Sequence, residues 1–216
     1  MKKILLTMLD IVFPRDPCVL LADTLTDFEF EKHITKAPLP LIPHCAAFLP
    51  YKNTVVRHLI HASKYHGHAR APTLLAHATA PFVAEELSER RLFGAFHTPL
   101  LTAIPLHEKR QRERGFNQSR RIAEALIEKL GDEGIEARFD VLMRVKHTPP
   151  QTHRIDKHER IANMKHAFSV STPHAVYGRE VLLIDDVVTT GATFLEARAA
   201  LMKVGAKDVL CIAVAH

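Results

Sequence analysis

The sequence predicts an α/β protein built on a parallel sheet, and three stretches carry that expectation. Val181-Leu-Leu-Ile184 is a short apolar run bounded by polar residues, the pattern of a strand buried on both faces. Phe194, Ala197, Leu201 and Val204 then share one helical face, and Gly205 stands where a left-handed C-terminal residue belongs. Val209 to Ala215 reads as a further apolar strand, which completes a strand–helix–strand unit.

The remaining elements follow from the same patterns. Residues 1–50 carry Pro14, Pro17, Pro38, Pro40, Pro43 and Pro50, so a short helix with Ile4, Met8 and Val12 on one face should lead into an irregular module. Residues 51–216 are expected to form the main domain. Its first helix runs from Asn53 to Tyr65 with the stripe Val56, Leu59, Ile60 and Ser63, and a second, over 72–93, should break or kink at Pro81. Leu100 to Ile104 reads as the first core strand and 107–116 as a basic loop. A helix from about Asn117 to Leu130 turns Ile122, Ala123, Leu126 and Leu130 inward, and Gly131 closes it. Residues 139–175 show less regular patterning and are again basic.

Composition narrows the class. Across 216 residues, 47% hydrophobic and 25% charged content are ordinary for a soluble globular chain. No apolar run approaches a membrane span. The start imitates a secretion signal, but Asp10 and Pro14 interrupt it and no small-residue cleavage pattern follows, so export is not expected. Cys18, Cys45 and Cys211 are an odd number at wide spacings, which argues against a disulfide framework and for a reducing, cytoplasmic setting. The net charge of +5 suits phosphate-bearing partners, from a metabolite to nucleic acid.

The chemistry concentrates after the strand at 181–184. Asp185 and Asp186 end it, and Thr189, Thr190, Gly191, Ala192 and Thr193 form a hydroxyl-rich turn that opens a helix at Phe194. Backbone N–H groups at such a turn converge on one spot that suits a phosphate dianion, and Gly191 permits close approach. Thr189 or Thr190 is available to cap the helix. The carboxylates repel that phosphate but can accept hydrogen bonds from sugar hydroxyls beside it. Together these groups describe a site for a ribose 5-phosphate. The loop after Leu100–Ile104 carries Lys109, Arg110, Arg112 and Arg114 against Glu108 and Glu113. It should emerge on the same rim of the sheet, where arginine forks can hold a pyrophosphate.

Residues 181–193 resemble the diphosphoribosyl-binding motif of the type I phosphoribosyltransferases. That resemblance implies a parallel sheet flanked by helices with a helical or irregular N-terminal hood. It implies that Asp185 and Asp186 hold the ribose 2- and 3-hydroxyls, that 189–193 take the 5-phosphate, and that Mg²⁺ accompanies 5-phosphoribosyl 1-pyrophosphate. Arg110 and Arg114 join the acidic pair as the expected catalytic groups. Several enzymes of that class that act on 6-oxopurines carry an acid where this chain has Thr189, so purine salvage loses support.

Arg114-Gly115-Phe116-Asn117-Gln118 is similar to a motif of the ComF family, which is linked to DNA uptake and includes GntX-like members. Ser63-Lys64-Tyr65-His66-Gly67, the set Arg144, Thr148, Pro150 and Gln151, and the set Arg160, Asn163, Ala167 and Phe168 agree with that family in order. ComF-like proteins often begin with two Cys-x-x-Cys pairs of a zinc ribbon, whereas this chain keeps only Cys18 and Cys45, with Leu21 and Ile42 in the vacated places. His33 and His44 would have to complete such a site, and zinc is not expected. The resemblance therefore implies a phosphoribosyltransferase-family protein that binds the donor or a nucleotide, with a protein partner in DNA uptake. Transfer of the phosphoribosyl group and non-catalytic sensing alongside single-stranded-DNA processing both remain open. Arg144, Lys146, Arg154, Lys157 and Arg160 could track a phosphate backbone, but 6% aromatics and no Trp leave few stacking platforms, so direct DNA binding is not favoured.

Overall fold

The computed structural model describes residues 16–32, 34, 44–65, 67–131, 133–146 and 165–216. The expected helix near Ile4 to Val12, His33, and the motif residues Thr148, Pro150, Gln151, Arg160 and Asn163 lie outside them, as do Arg154 and Lys157.

The elements are α1 (Pro17–Thr24), α2 (Asp27–Lys32), β1 (Cys45–Leu49), α3 (Thr54–Tyr65), α4 (Arg70–Leu92), β2 (Leu100–Ala103), α5 (Glu108–Arg114), α6 (Gln118–Leu130), β3 (Glu136–Ala137), β4 (Leu142–Arg144), β5 (Phe168–Val170), α7 (Pro173–Val176), β6 (Glu180–Val187), α8 (Ala192–Lys203) and β7 (Asp208–Ala215). Five strands form one sheet in the order β1-β7-β6-β2-β3, every neighbouring pair parallel. β4 and β5 form a separate antiparallel pair.

Alternation along β6 explains why its apolar run is continuous. Leu182 and Ile184 enter a core shared with α1, α3, α4 and α6, whereas Val181 and Leu183 enter a second core with Phe194, Ala197 and Leu201 of α8. The stripe Val56, Leu59, Ile60 and Ser63 on α3 is fully buried, as the sequence implied.

Several expectations change. The stretch 107–116 is not a loop: His107 accepts from the Lys109 amide, seven residues form α5, and Gly115 ends it at φ 78°. α4 runs unbroken through Pro81, because packing of Ala78, Ala80, Val83 and Leu87 outweighs one lost backbone donor. α8 begins at Ala192 rather than Phe194, and its N-cap is Gly191 with no side-chain cap, so neither Thr189 nor Thr190 caps it. β1, on the N-terminal side of the boundary expected at residue 50, is an edge strand of the main sheet through pairing with β7.

The cysteines separate in the same framework. Cys18 packs into the core beneath α3, while Cys45 lies in the other core opposite its register partner Cys211. Asp16, Cys18 and His61 bring ligand atoms within 4.8 Å of one another. Burial, and then the hydrogen bond to Asp16, push the Cys18 thiol up to about 11, so it is protonated at neutral pH and a metal would have to displace that proton. The purified protein is expected to hold no stoichiometric zinc, and a strong chelator should leave its melting temperature unchanged. One tightly held zinc per chain by elemental analysis would show the opposite.

Candidate functional site

The pairing of β2 with β6 sets the site. Ala103 lies opposite Ile184 and the Ile104 amide donates to the Ile184 carbonyl at 2.9 Å, so the chain leaving β2 runs beside the acidic pair. Both strands end on the same rim, where ligands of parallel sheets gather.

The segment from Gly115 to Ser119 is built to hold this rim in place. Asn117 caps α6 by accepting from the Ser119 and Arg120 amides, and its amide nitrogen donates to the Ile104 carbonyl at 2.9 Å. Phe116 packs against Gly67, which sits at φ 60° and where a Cβ would come within 2.9 Å of the ring. Arg121 stacks on Phe116 with 4.2 Å to the ring centroid and donates to the Gly67 carbonyl. The end of α3 is thereby tied to the start of α6.

A cavity of about 200 Å³ opens at this rim, walled by Lys64, Arg110, Arg114, Arg144, Asp185 and Asp186 together with Tyr65, Gln118, Ser119 and Thr193. Asp185 Oδ1 accepts from the Ser119 hydroxyl at 2.7 Å and from the Asp186 amide at 2.9 Å. Asp186 is 4% exposed, and Lys64 Nζ lies 2.9 Å from its Oδ2 as an ion pair without hydrogen-bond alignment. Burial opposes the charge on Lys64, but Asp186 and then Asp185 outweigh it and hold the ammonium above its ordinary value. Arg114 donates to Gln118 Oε1 at 2.7 Å and lies over the Tyr65 ring. Burial, then the charge of Arg110, lower Arg144.

The two carboxylates are not equivalent. Burial, then the neighbouring Asp186, push Asp185 up to about 7 against the pull of Ser119 and Lys64. An acid whose folded value lies above its unfolded value of about 4 retains a proton in the folded chain over the interval between them. Stability from this group is therefore greatest below about pH 4 and falls as pH rises through about pH 7. Asp185→Asn removes that titration, so its melting temperature should decline less than that of the unmodified protein across this window. Thermal denaturation at a series of pH values checks it, and identical pH profiles would contradict the assignment.

The expected site residues do not all converge. Arg110 and Arg114 face the cavity, whereas Lys109 and Arg112 are exposed and Arg112 lies 3.5 Å from Glu108, one helical turn away. The spacing of α5 explains this division, since the two inward arginines stand four positions apart, about one helical turn. Of the turn, Thr193 lines the cavity, Thr189 is exposed, and Gly191 adopts φ 75°. The N-terminus of α8 is left without a side-chain cap. Thr190 Oγ1 approaches the Ala192 amide at 3.5 Å, long for a hydrogen bond, so the amides there are available to an anion. Lys64, Tyr65 and Ser119 join the site without having been assigned to it. Lys64 and Tyr65 had a signal in the Ser63–Gly67 motif, while Ser119 had none.

The arrangement has the chemistry to take an anion beside a polar, hydroxyl-bearing group. Four cationic side chains surround two carboxylates, which leaves a positive excess for a polyphosphate. The paired carboxylate oxygens are also hard ligands of the kind Mg²⁺ takes, and Asp186 Oδ2 is buried with a cation as its neighbour, so the residues fit such an ion.

Residues 117–216 match the family described as "Phosphoribosyl transferase domain", and the parallel sheet with its flanking helices is the type I phosphoribosyltransferase fold. DNA utilization protein YhgH of Escherichia coli is 31% identical over 153 residues, covering 70% of this chain and 63% of that protein. Competence protein F of Haemophilus influenzae is 34% identical over 107 residues, 49% of this chain and 45% of that protein. Competence protein ComFC of Streptococcus pneumoniae is 31% identical over 136 residues, 63% of this chain and 54% of that protein. Residues 117–216 thus carry the phosphoribosyltransferase-domain match, and these similarities support a ComF-like family. The chain spans less than two thirds of the length of these relatives. Among the described residues, no helix is long and apolar enough to cross a membrane.

Proposed function

We propose that this chain binds 5-phosphoribosyl 1-pyrophosphate together with Mg²⁺ and serves DNA utilization, as the names of its relatives suggest. One observation carries the reading: a single cavity joins the acidic pair of β6, Thr193 of the phosphate turn and the inward arginines of α5. Asp185 and Asp186 accept from the ribose hydroxyls, the turn before α8 takes the 5-phosphate, and Arg110 and Arg114 hold the pyrophosphate. Bound Mg²⁺ supplies charge neutralisation for the pyrophosphate.

In a transfer reaction an acceptor atom forms a bond to the anomeric carbon as the carbon–oxygen bond to pyrophosphate breaks. The pyrophosphate leaves with the bonding electrons and the acceptor loses its proton. Arg110 and Arg114 stabilise the charge that develops on the leaving group. A second reading, a sensor that binds the donor or a nucleotide without turnover, is favoured by Thr189, which is exposed and supplies no carboxylate to take the acceptor's proton. Measurement of pyrophosphate release in the presence of Mg²⁺ and a panel of purine, pyrimidine and pyridine acceptors separates the two. Acceptor-dependent release establishes transfer. Tight donor binding with no release under any acceptor establishes the sensor.

A further inference from the structure

Lys64 has no part in the contacts described for the donor, yet it brings a cation from outside β6 into contact with the acidic pair. Its ammonium lies 2.9 Å from Asp186 Oδ2, an atom with no hydrogen bond among the described residues. The side chain borders both the 200 Å³ cavity and a neighbouring one of about 330 Å³ that also touches Tyr65, Arg110, Glu113 and Arg114. It thus stands between the sugar-binding floor and the arginine wall. Its backbone is fixed from both sides: Leu59, Ile60 and Ser63 are buried in the core, and Arg121 and Phe116 hold Gly67 just beyond the helix. The helix end is held by packing while a flexible four-carbon stem carries the charge.

We propose that Lys64 is a tethered counter-ion that keeps the ligand-free site neutralised at Asp186, in the place a divalent cation takes when the donor binds. This rests on the donor reading only for the identity of the incoming ligand. While Lys64 occupies Asp186, a free divalent ion meets a carboxylate that is already paired and gains little there. A pyrophosphate arriving at Arg110 and Arg114 offers Lys64 a more highly charged partner within the same pair of cavities. The ammonium transfers to it and releases Asp186 to the ribose and the ion. Cation and sugar phosphate consequently enter together rather than the cation first, and the C-terminal end of α3 senses whether the pyrophosphate is present.

Titration of Mn²⁺ alone, followed by the loss of its free paramagnetic resonance signal, tests this on the full chain. Lys64→Met is expected to bind one Mn²⁺ per chain at least about tenfold more tightly than the unmodified protein, since the paired carboxylate becomes available. Lys64→Arg should restore the weak binding, because a guanidinium can keep the pair. Asp186→Asn in the Lys64→Met background should abolish the gain. Arg110→Met removes a cation from the same cavity without touching Asp186, and should leave Mn²⁺ affinity within about threefold. Equal Mn²⁺ affinity in Lys64→Met and the unmodified protein overturns the proposal, as does an equal gain in Arg110→Met, which would mark a general change of field. The donor is absent from this titration, so a chain that never bound it would still show the gain. Failure of the donor reading and failure of the counter-ion are thereby read separately.

Discussion

Replacing Asp185 and Asp186 together with asparagine should weaken binding of 5-phosphoribosyl 1-pyrophosphate by about a hundredfold or more, at about 1.5–3 kcal/mol for each hydrogen bond to a charged acceptor. The variant keeps its shape for a definite reason. Asparagine preserves the volume and one carbonyl oxygen at each position, so the Ser119 hydroxyl retains an acceptor, and Lys64, which is not fully buried, can turn its ammonium to water. What changes is the charge proposed to orient the sugar hydroxyls. Circular dichroism and thermal melting should show a folded sheet, and calorimetry should show the lost affinity. Undiminished affinity in a folded double variant would remove the ribose assignment.

The second large effect divides the basic segment that the sequence presented as a unit. Arg110→Ala with Arg114→Ala should weaken binding of the full donor at least about tenfold more than binding of ribose 5-phosphate, because only the donor carries the pyrophosphate that arginine forks hold. On the proposed reading ribose 5-phosphate should depend on the turn before α8, which these changes do not touch. Lys109→Ala with Arg112→Ala, on the exposed side of α5, should leave donor affinity within about twofold. Isothermal titration of each variant with both ligands is the check. Equal weakening of both ligands by the first pair would indicate a general loss of positive field. Loss of DNA affinity with donor binding little altered would instead place the segment on a nucleic-acid backbone, with a shallower salt dependence to match.

The core sheet and the residues at its rim were legible because local signals and tertiary packing agree there. The β6 run, the inward faces of α6 and α8 and the glycines that close those helices all report the same buried sheet. The acidic pair and its turn were legible for a related reason: a ligand site at the end of a strand has its residues adjacent in sequence. The misreadings came where this agreement fails. α5 has no buried residue, so it leaves no apolar period in the sequence, and only its caps at His107 and Gly115 mark it as a helix. β1 is a five-residue edge strand between segments dense in proline, and its partner β7 lies more than 160 residues away, a pairing that no short window records. Lys64 and Ser119 reach the acidic pair from α3 and α6 across 122 and 66 residues, by folding rather than by spacing. Arg144 was visible as a basic residue, but its place in the cavity depends on the short β4–β5 pair, too brief to leave a pattern.

One cavity at the end of β6 is proposed to hold a pyrophosphate-bearing ribose phosphate. Calorimetric titration of the full chain with 5-phosphoribosyl 1-pyrophosphate in the presence of Mg²⁺ tests it most directly. The expected result is one binding site per chain that disappears in the Asp185→Asn, Asp186→Asn variant and tightens as pH rises through about 7, where Asp185 gives up its proton. Absence of binding by a folded chain, or binding that the double substitution leaves intact, would contradict it.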